Sequence, residues 1–241
     1  MPRWWVGTVR AVHDETPTAR SLVLDIPGWQ GHQPGQYVTV RLTAEDGYQA
    51  VRDYSIASAP EDPAVMLTVE RLEDGEVSAY LTEEVRPGDQ LELLGPIGSY
   101  FTWRAAMGGP LLLVAGGSGI TPLMSMLRHR ATAGRDVPAR LLYSARSFEE
   151  VIYRTELERI ADADDHLEVV YTLTRCRPPG WTGYTRRIDR AMLRDIAWPP
   201  EQGPLAYVAG PDGLVDTVSE LLVDLGYAPE RVRTERFGPT G

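Results

Sequence analysis

The stretch best suited to chemistry is Leu111-Leu112-Leu113-Val114-Ala115-Gly116-Gly117-Ser118-Gly119-Ile120-Thr121-Pro122. A continuous apolar run feeds a glycine-rich turn, and Pro122 suits the first turn of a helix, where its missing N–H costs nothing. Glycines let a ligand approach the backbone with no Cβ in the way. Unpaired N–H groups and the helix dipole at such a turn favour a pyrophosphate. The spacing departs from two commoner motifs. A dinucleotide fingerprint would carry Gly where Pro122 stands, and a hydrolase nucleophile elbow around Ser118 fails at Ile120. Taken alone, the turn also fits a tight strand–helix connection that binds nothing. A second cluster, Arg52-Asp53-Tyr54-Ser55, reads by itself as a surface arginine beside a half-buried strand tyrosine.

The elements that must position these residues change character partway along the chain. Residues 6–12, 21–26, 37–42 and 65–70 alternate as strands do, with turns at Pro27-Gly28, Pro34-Gly35, Glu73-Asp74-Gly75 and Pro87-Gly88-Asp89 between them. With one helix expected over 78–84, this predicts a small antiparallel barrel. After Met107-Gly108-Gly109-Pro110 the pattern becomes strand–helix alternation. Strands are expected at 111–115, 140–144, 166–172 and 205–209, and helices at 122–132, 148–161, 189–196 and 214–225. That order implies a parallel sheet with helices on both faces. Residues 233–241 read as an extended tail.

Composition excludes several classes. All 24 basic residues are Arg, so neither a Schiff-base lysine nor a P-loop lysine exists. A net charge of -10 disfavours nucleic acid and anionic membrane surfaces. The single Cys176 cannot hold a four-cysteine iron–sulfur cluster. With no signal-peptide-like start and no apolar run long enough to insert in a membrane, a cytoplasmic setting is expected. His13, His32, His129 and His166 lack metal-ligand spacing, so no metal site is expected. The acidic run around Asp162, Asp164 and Asp165 reads as a solvated turn.

Together and in order, the two halves resemble the ferredoxin–NADP reductase superfamily. The residues that carry the resemblance are Arg52-Asp53-Tyr54-Ser55 and the glycine turn ending Thr121-Pro122, supported by four further pieces. Gln33-Pro34-Gly35-Gln36-Tyr37, Gly75-Glu76-Val77-Ser78, Gly95-Pro96-Ile97-Gly98 and Tyr207-Val208-Ala209-Gly210-Pro211 resemble its P-G-Q-[YF], G-x-x-S, G-P-x-G and [YF]-x-C-G-P segments. Each is common alone; the ordered set, from Trp5 to Phe237, is specific. The resemblance implies an FAD-binding antiparallel β-barrel over residues 1–104 and an NADP-binding α/β domain, a doubly wound parallel sheet with a C-terminal tail, over 105–241.

The resemblance also implies roles. Arg52 would pair with the FAD pyrophosphate, beside Asp53. Tyr54 would stack on the flavin ring and Ser55 would hydrogen-bond near flavin N5. Val77 and Ser78, after Gly75, would offer N–H and hydroxyl donors to the flavin phosphates. Gly117, Gly119, Thr121 and Pro122 would line the path of the nicotinamide and its pyrophosphate, with Gly210 and Pro211 opposite. Ser144 and Arg146, with Arg154 assisting, stand where the adenosine ribose is read. A hydroxyl and an arginine suit a 2′-phosphate, whereas a bare 2′-hydroxyl wants a carboxylate. NADPH is therefore expected, with NADH as the alternative. Those arginines also fit a merely solubilising role.

Two features depart from the family. Ala209 replaces its usual Cys, and the chain does not stop at a terminal aromatic. Phe237 is the candidate flavin-facing ring and Glu235 its polar partner, or both pack on the barrel as tail residues. The implied activity is an FAD-dependent oxidoreductase that passes electrons from NADPH to a separate acceptor. That acceptor would be a ferredoxin, an oxygenase or cytochrome component, or a small molecule, and an arginine patch at Arg186, Arg187, Arg190 and Arg194 would suit an acidic protein. The rival readings are a free-flavin or ferric-siderophore reductase, an FAD-binding relay subunit that does not oxidise NADPH, and a flavin-free NAD(P)-binding domain.

Overall fold

The computed structural model describes residues 2–237. Six strands form the first half: β1 (Arg3–Thr16), β2 (Ala19–Asp25), β3 (Tyr37–Thr43), β4 (Gln49–Ser55), β5 (Val65–Glu70) and β6 (Gln90–Ile97). They make one antiparallel sheet in the order β4-β3-β6-β1-β2-β5, and an Ile56–Leu67 bridge brings its two edges together. Alternate residues such as Leu22, Leu24, Val38, Val40, Leu67, Leu91 and Leu93 fill the interior. Period-two patterning fixes which side of each strand is buried. The helix between β5 and β6 is a short α1 (Glu76–Ala79) that widens into a π turn over Tyr80–Glu84.

The second half is a five-stranded parallel sheet of β7 (Leu111–Gly116), β8 (Ala139–Ala145), β9 (Leu167–Leu173), β10 (Leu205–Gly210) and β11 (Val232–Arg236). Its order is β11-β10-β7-β8-β9. The continuous apolar run of β7 is explained by burial on both faces. Leu111, Leu113 and Ala115 pack under α2 (Ile120–Ala133) and α3 (Arg154–Asp162). Leu112 and Val114 pack under α4 (Arg190–Ile196) and α5 (Asp212–Asp224).

Three expectations are corrected. The helix over 148–161 is broken: a 3-10 turn at Phe148–Glu150 leads through Val151 and Ile152 to Tyr153, whose φ is 60°, and α3 starts after it. Tertiary contacts override helix propensity here. The Ile152 N–H donates to the buried Tyr143 hydroxyl at 3.2 Å, and the Tyr153 hydroxyl donates to Thr68 in the barrel. The tail from 233 is instead the edge strand β11, paired in parallel with β10; residues 238–241 lie outside the described residues. Asp164 is not solvated. It accepts from the fully buried Arg130 at 2.6 Å, because a buried guanidinium needs a carboxylate close by.

The two halves pack through a polar and aromatic seam. In α2, Ser125 donates to the Ser58 carbonyl at 2.6 Å and Arg128 to the Ala57 carbonyl at 2.7 Å. Tyr207 donates to the Thr102 carbonyl at 2.7 Å, and Phe101 meets its ring edge-on. This seam holds the end of β4 against the helix that follows the glycine turn.

Candidate active site

The glycine turn is built from backbone. A 3-10 turn at Gly117–Gly119 joins β7 to α2, and Gly117 has φ 54°. A Cβ on Gly119 would drive into the Ala209 carbonyl of β10, closer than real Cβ atoms come. Only glycine lets the turn lie this close to the next strand. Tyr143 braces the turn from below, donating to the Gly117 carbonyl at 3.0 Å. Pro122 is buried in the first turn of α2. The Thr121 hydroxyl is also buried, beside that of Tyr153, yet makes no hydrogen bond of good geometry. An unpaired buried hydroxyl is costly and is commonly satisfied by a ligand or water.

The opposite wall is built from side chains. Tyr54 is half-buried, packed against the barrel core, and burial pushes its hydroxyl pKa up. Ser55 faces the other way and donates to Glu235 Oε1 of β11 at 2.8 Å, across 180 residues of sequence. Glu235 lies beside Ala209, and Ala209 beside Ala115, at the end of β7. The end of β4 and the glycine turn therefore flank one junction between the two halves, the candidate cleft. Burial, aided by the nearby Asp53, raises the Glu235 pKa to about 7 against the opposing pull of the Ser55 hydrogen bond. Asp53 itself accepts from Thr39 at 2.5 Å.

Other expected residues are placed as follows. Arg52 donates to the Val51 carbonyl at 2.7 Å. Ser78 is engaged locally: its hydroxyl donates to the Gly75 carbonyl and accepts from the Leu72 N–H, both at 3.1 Å. The Val77 side chain is in the barrel core. Ser144, one residue before the end of β8, pairs with Gly116, with exposed Arg146 just beyond the strand. Arg154 lies over the Phe148 ring. Gly210 and Pro211 lead into α5, packed on Gly116. The Phe237 N–H donates to the Gly210 carbonyl at 2.9 Å, and its ring packs on the α2 side of the parallel sheet. Within the arginine patch, Arg186 pairs with Asp189 and Arg190 with Asp224. Sequence reasoning assigned no role to Glu70, the end of an expected strand, or to Tyr143, read only as part of the segment Leu142-Tyr143-Ser144-Ala145-Arg146; their proximity to the turn marks them. Among the described residues no cluster of His, Cys, Asp or Glu could hold a metal ion, and no helix is long and apolar enough to cross a membrane.

The site is that of a two-domain flavoprotein oxidoreductase, and comparison with known proteins agrees. The family model for the oxidoreductase FAD-binding domain matches residues 8–102, and that for the oxidoreductase NAD-binding domain matches 113–220. Over 210 residues the chain is 37% identical to ferredoxin–NADP reductase B of Sorangium cellulosum, covering 85% of each protein. It is 29% identical over 235 residues to the ferredoxin–NAD(P)+ reductase component of the naphthalene 1,2-dioxygenase/salicylate 5-hydroxylase systems of a Ralstonia species, covering 98% of this chain and 69% of that protein. The FAD/NAD-binding domain of a Vibrio cholerae nitric oxide dioxygenase superposes with a TM-score of 0.86 at 25% identity, covering 98% of this chain and 99% of that one. The chain belongs to the ferredoxin–NADP reductase family. It is an NAD(P)H-dependent reductase that uses FAD, and no iron–sulfur domain lies within these residues.

Proposed function

We propose that this cleft oxidises NADPH in preference to NADH and hands the electrons to a separate protein, a ferredoxin or an oxygenase component. The observation that supports a shared redox site is the Ser55–Glu235 hydrogen bond, which joins the barrel to the strand beside the glycine turn, and exposed Arg146 beyond Ser144 supports the preference for NADPH. In this reading the chain divides between Arg104 and Ala105. The setting is cytoplasmic, which suits a lone exposed thiol at Cys176.

The cleft fits both cofactors. A turn without side chains and an unpaired Thr121 hydroxyl suit a nicotinamide dinucleotide. Arg52, Tyr54 and Ser55 on β4, with the backbone N–H groups near Val77 and Ser78, suit a flavin dinucleotide. When bound, FAD supplies the chemistry of accepting a hydride and releasing electrons onward. The chain's own part is binding, orientation and proton control. Ser55 has a single hydroxyl proton. While Glu235 is ionised, that proton is held by the carboxylate. Once Glu235 is protonated, it can donate to Ser55 instead, and Ser55 becomes free to donate into the cleft. A pKa of about 7 places this change at neutral pH. Arg146 and Ser144 would hold the 2′-phosphate, Arg154 assisting. Phe237 would shield the cleft from water beside Gly210.

An absorbance spectrum of the purified protein, before and after anaerobic NADPH, tests this. A yellow protein bleached faster by NADPH than by NADH is expected. A colourless protein, or one that stays yellow, would overturn the reading. Adding oxidised ferredoxin and then free flavin or a ferric chelate separates a protein acceptor from a small one.

A further inference from the structure

We propose that Glu70 anchors the ribose attached to the nicotinamide. The inference rests on the dinucleotide reading above and adds a residue that neither motif nor family model singles out. Glu70 is the last residue of β5, on the barrel side of the cleft, and is half-buried. Its Oε2 lies 3.6 Å from the position a Cβ on Gly117 would occupy, so the carboxylate faces the open side of the glycine turn. Beneath them the buried Tyr143 hydroxyl, which braces Gly117, feels the same charge.

In a chain with 24 arginines, the Glu70 carboxylate makes no hydrogen bond or ion pair with any described residue. Its neighbour Arg71 turns away to Glu83 at 3.0 Å. A half-buried carboxylate with no donor from the protein is open to the donors that a ligand brings.

The chemistry of the dinucleotide decides which part can do so. A diphosphate offers no donors and repels a carboxylate. The adenosine ribose of NADPH carries an anionic 2′-phosphate and belongs at Ser144 and Arg146, at the end of β8. The ribose on the nicotinamide side is neutral and presents a vicinal diol with two hydroxyl donors, a natural partner for a carboxylate. Glu70 would hold that diol at Gly117 and push the diphosphate towards the start of α2. The missing side chain at Gly117 leaves room for both groups to meet.

The experiment uses the FAD-loaded protein, with Glu70→Ala and Glu70→Gln compared against the parent. Binding of NADP+ and of 2′,5′-ADP, which lacks the second ribose, is read by titration, and NADPH oxidation gives KM and kcat. Glu70→Ala should weaken NADP+ binding about tenfold and raise KM for NADPH similarly, with kcat changed much less. Glu70→Gln, which keeps one acceptor oxygen, should fall between. Binding of 2′,5′-ADP should stay within twofold, and an unchanged melting temperature would show that the fold is intact. Tighter NADP+ binding in either variant would mean that the carboxylate faces the diphosphate, and would overturn the proposal. Equal loss for NADP+ and 2′,5′-ADP, or no change for either, would also overturn it. If the parent bound neither ligand, the dinucleotide reading itself would fall, and this one with it.

Discussion

The glycine turn presents backbone to the cleft, while the facing wall presents side chains: Tyr54, Ser55, Glu70 and, from β11, Glu235. The difference sets how each wall tolerates change. On the backbone wall the limit is space, because Gly119 lies against the Ala209 carbonyl with no room for a Cβ. On the side-chain wall the limit is charge and hydrogen bonding, because Ser55 donates to a Glu235 carboxyl whose pKa burial raises to about 7. The first wall should fail by misfolding, the second by slowing.

Gly119→Ala should have the largest effect. The added carbon must displace backbone of the central sheet, a cost of about 3 kcal/mol or more. Thermal melting should drop by roughly 6–12 °C on the scale for a chain of this size. A melting curve that matched the parent would erase the contrast between the walls.

Ser55→Ala should lower melting by only a few degrees, since it leaves Glu235 without its donor, but slow anaerobic flavin reduction by NADPH about 10–100-fold, the kinetic equivalent of losing one buried hydrogen bond. Stopped-flow bleaching of the yellow colour measures this. A variant as fast as the parent would show that the side-chain wall is not the chemical one.

Arg146→Ala should raise KM for NADPH about tenfold and alter KM for NADH less than twofold, since only the former carries the 2′-phosphate. Equal changes would remove the 2′-phosphate from the end of β8.

Glu235→Gln should have the most pH-specific effect, small at the pH where the carboxyl is already protonated. With a folded pKa of about 7 against an ordinary 4.5, the native state holds more protons than the unfolded one between these values. The stability from this group is therefore complete below about pH 4.5 and is lost as pH rises through about 7. The loss is on the order of 1–3 kcal/mol, the lower figure allowing for partial solvent screening. In Glu235→Gln that slope should vanish from urea titrations run at pH 5 and pH 8. A slope that survived would place the raised pKa elsewhere.

Much of this cleft was legible in the chain itself. The apolar run of β7, the glycines after it and Pro122 are neighbours in sequence, and their local geometry follows from residue type. The alternation in the first half and the strand–helix repeat in the second likewise depend on short-range periodicity, so both sheets could be expected. The ordered motifs then identified the family. The errors fell where a distant contact overrode a local preference. Tyr153 breaks an expected helix because its hydroxyl reaches Thr68 in the barrel. The supposed tail is a strand because β10 offers it an open edge.

Residue types and spacing thus determined the two architectures, the glycine turn that opens a helix and the absence of lysine chemistry. Only the packed molecule decided that Ser55 meets Glu235, that Glu235 is buried enough to titrate near neutrality, and that Glu70 looks onto Gly117. Those pairs are separated by 180 residues in the first case, and no local rule links them. They exist because two independently patterned sheets close against each other. Burial and proximity, which set charge and pKa, belong to that closure.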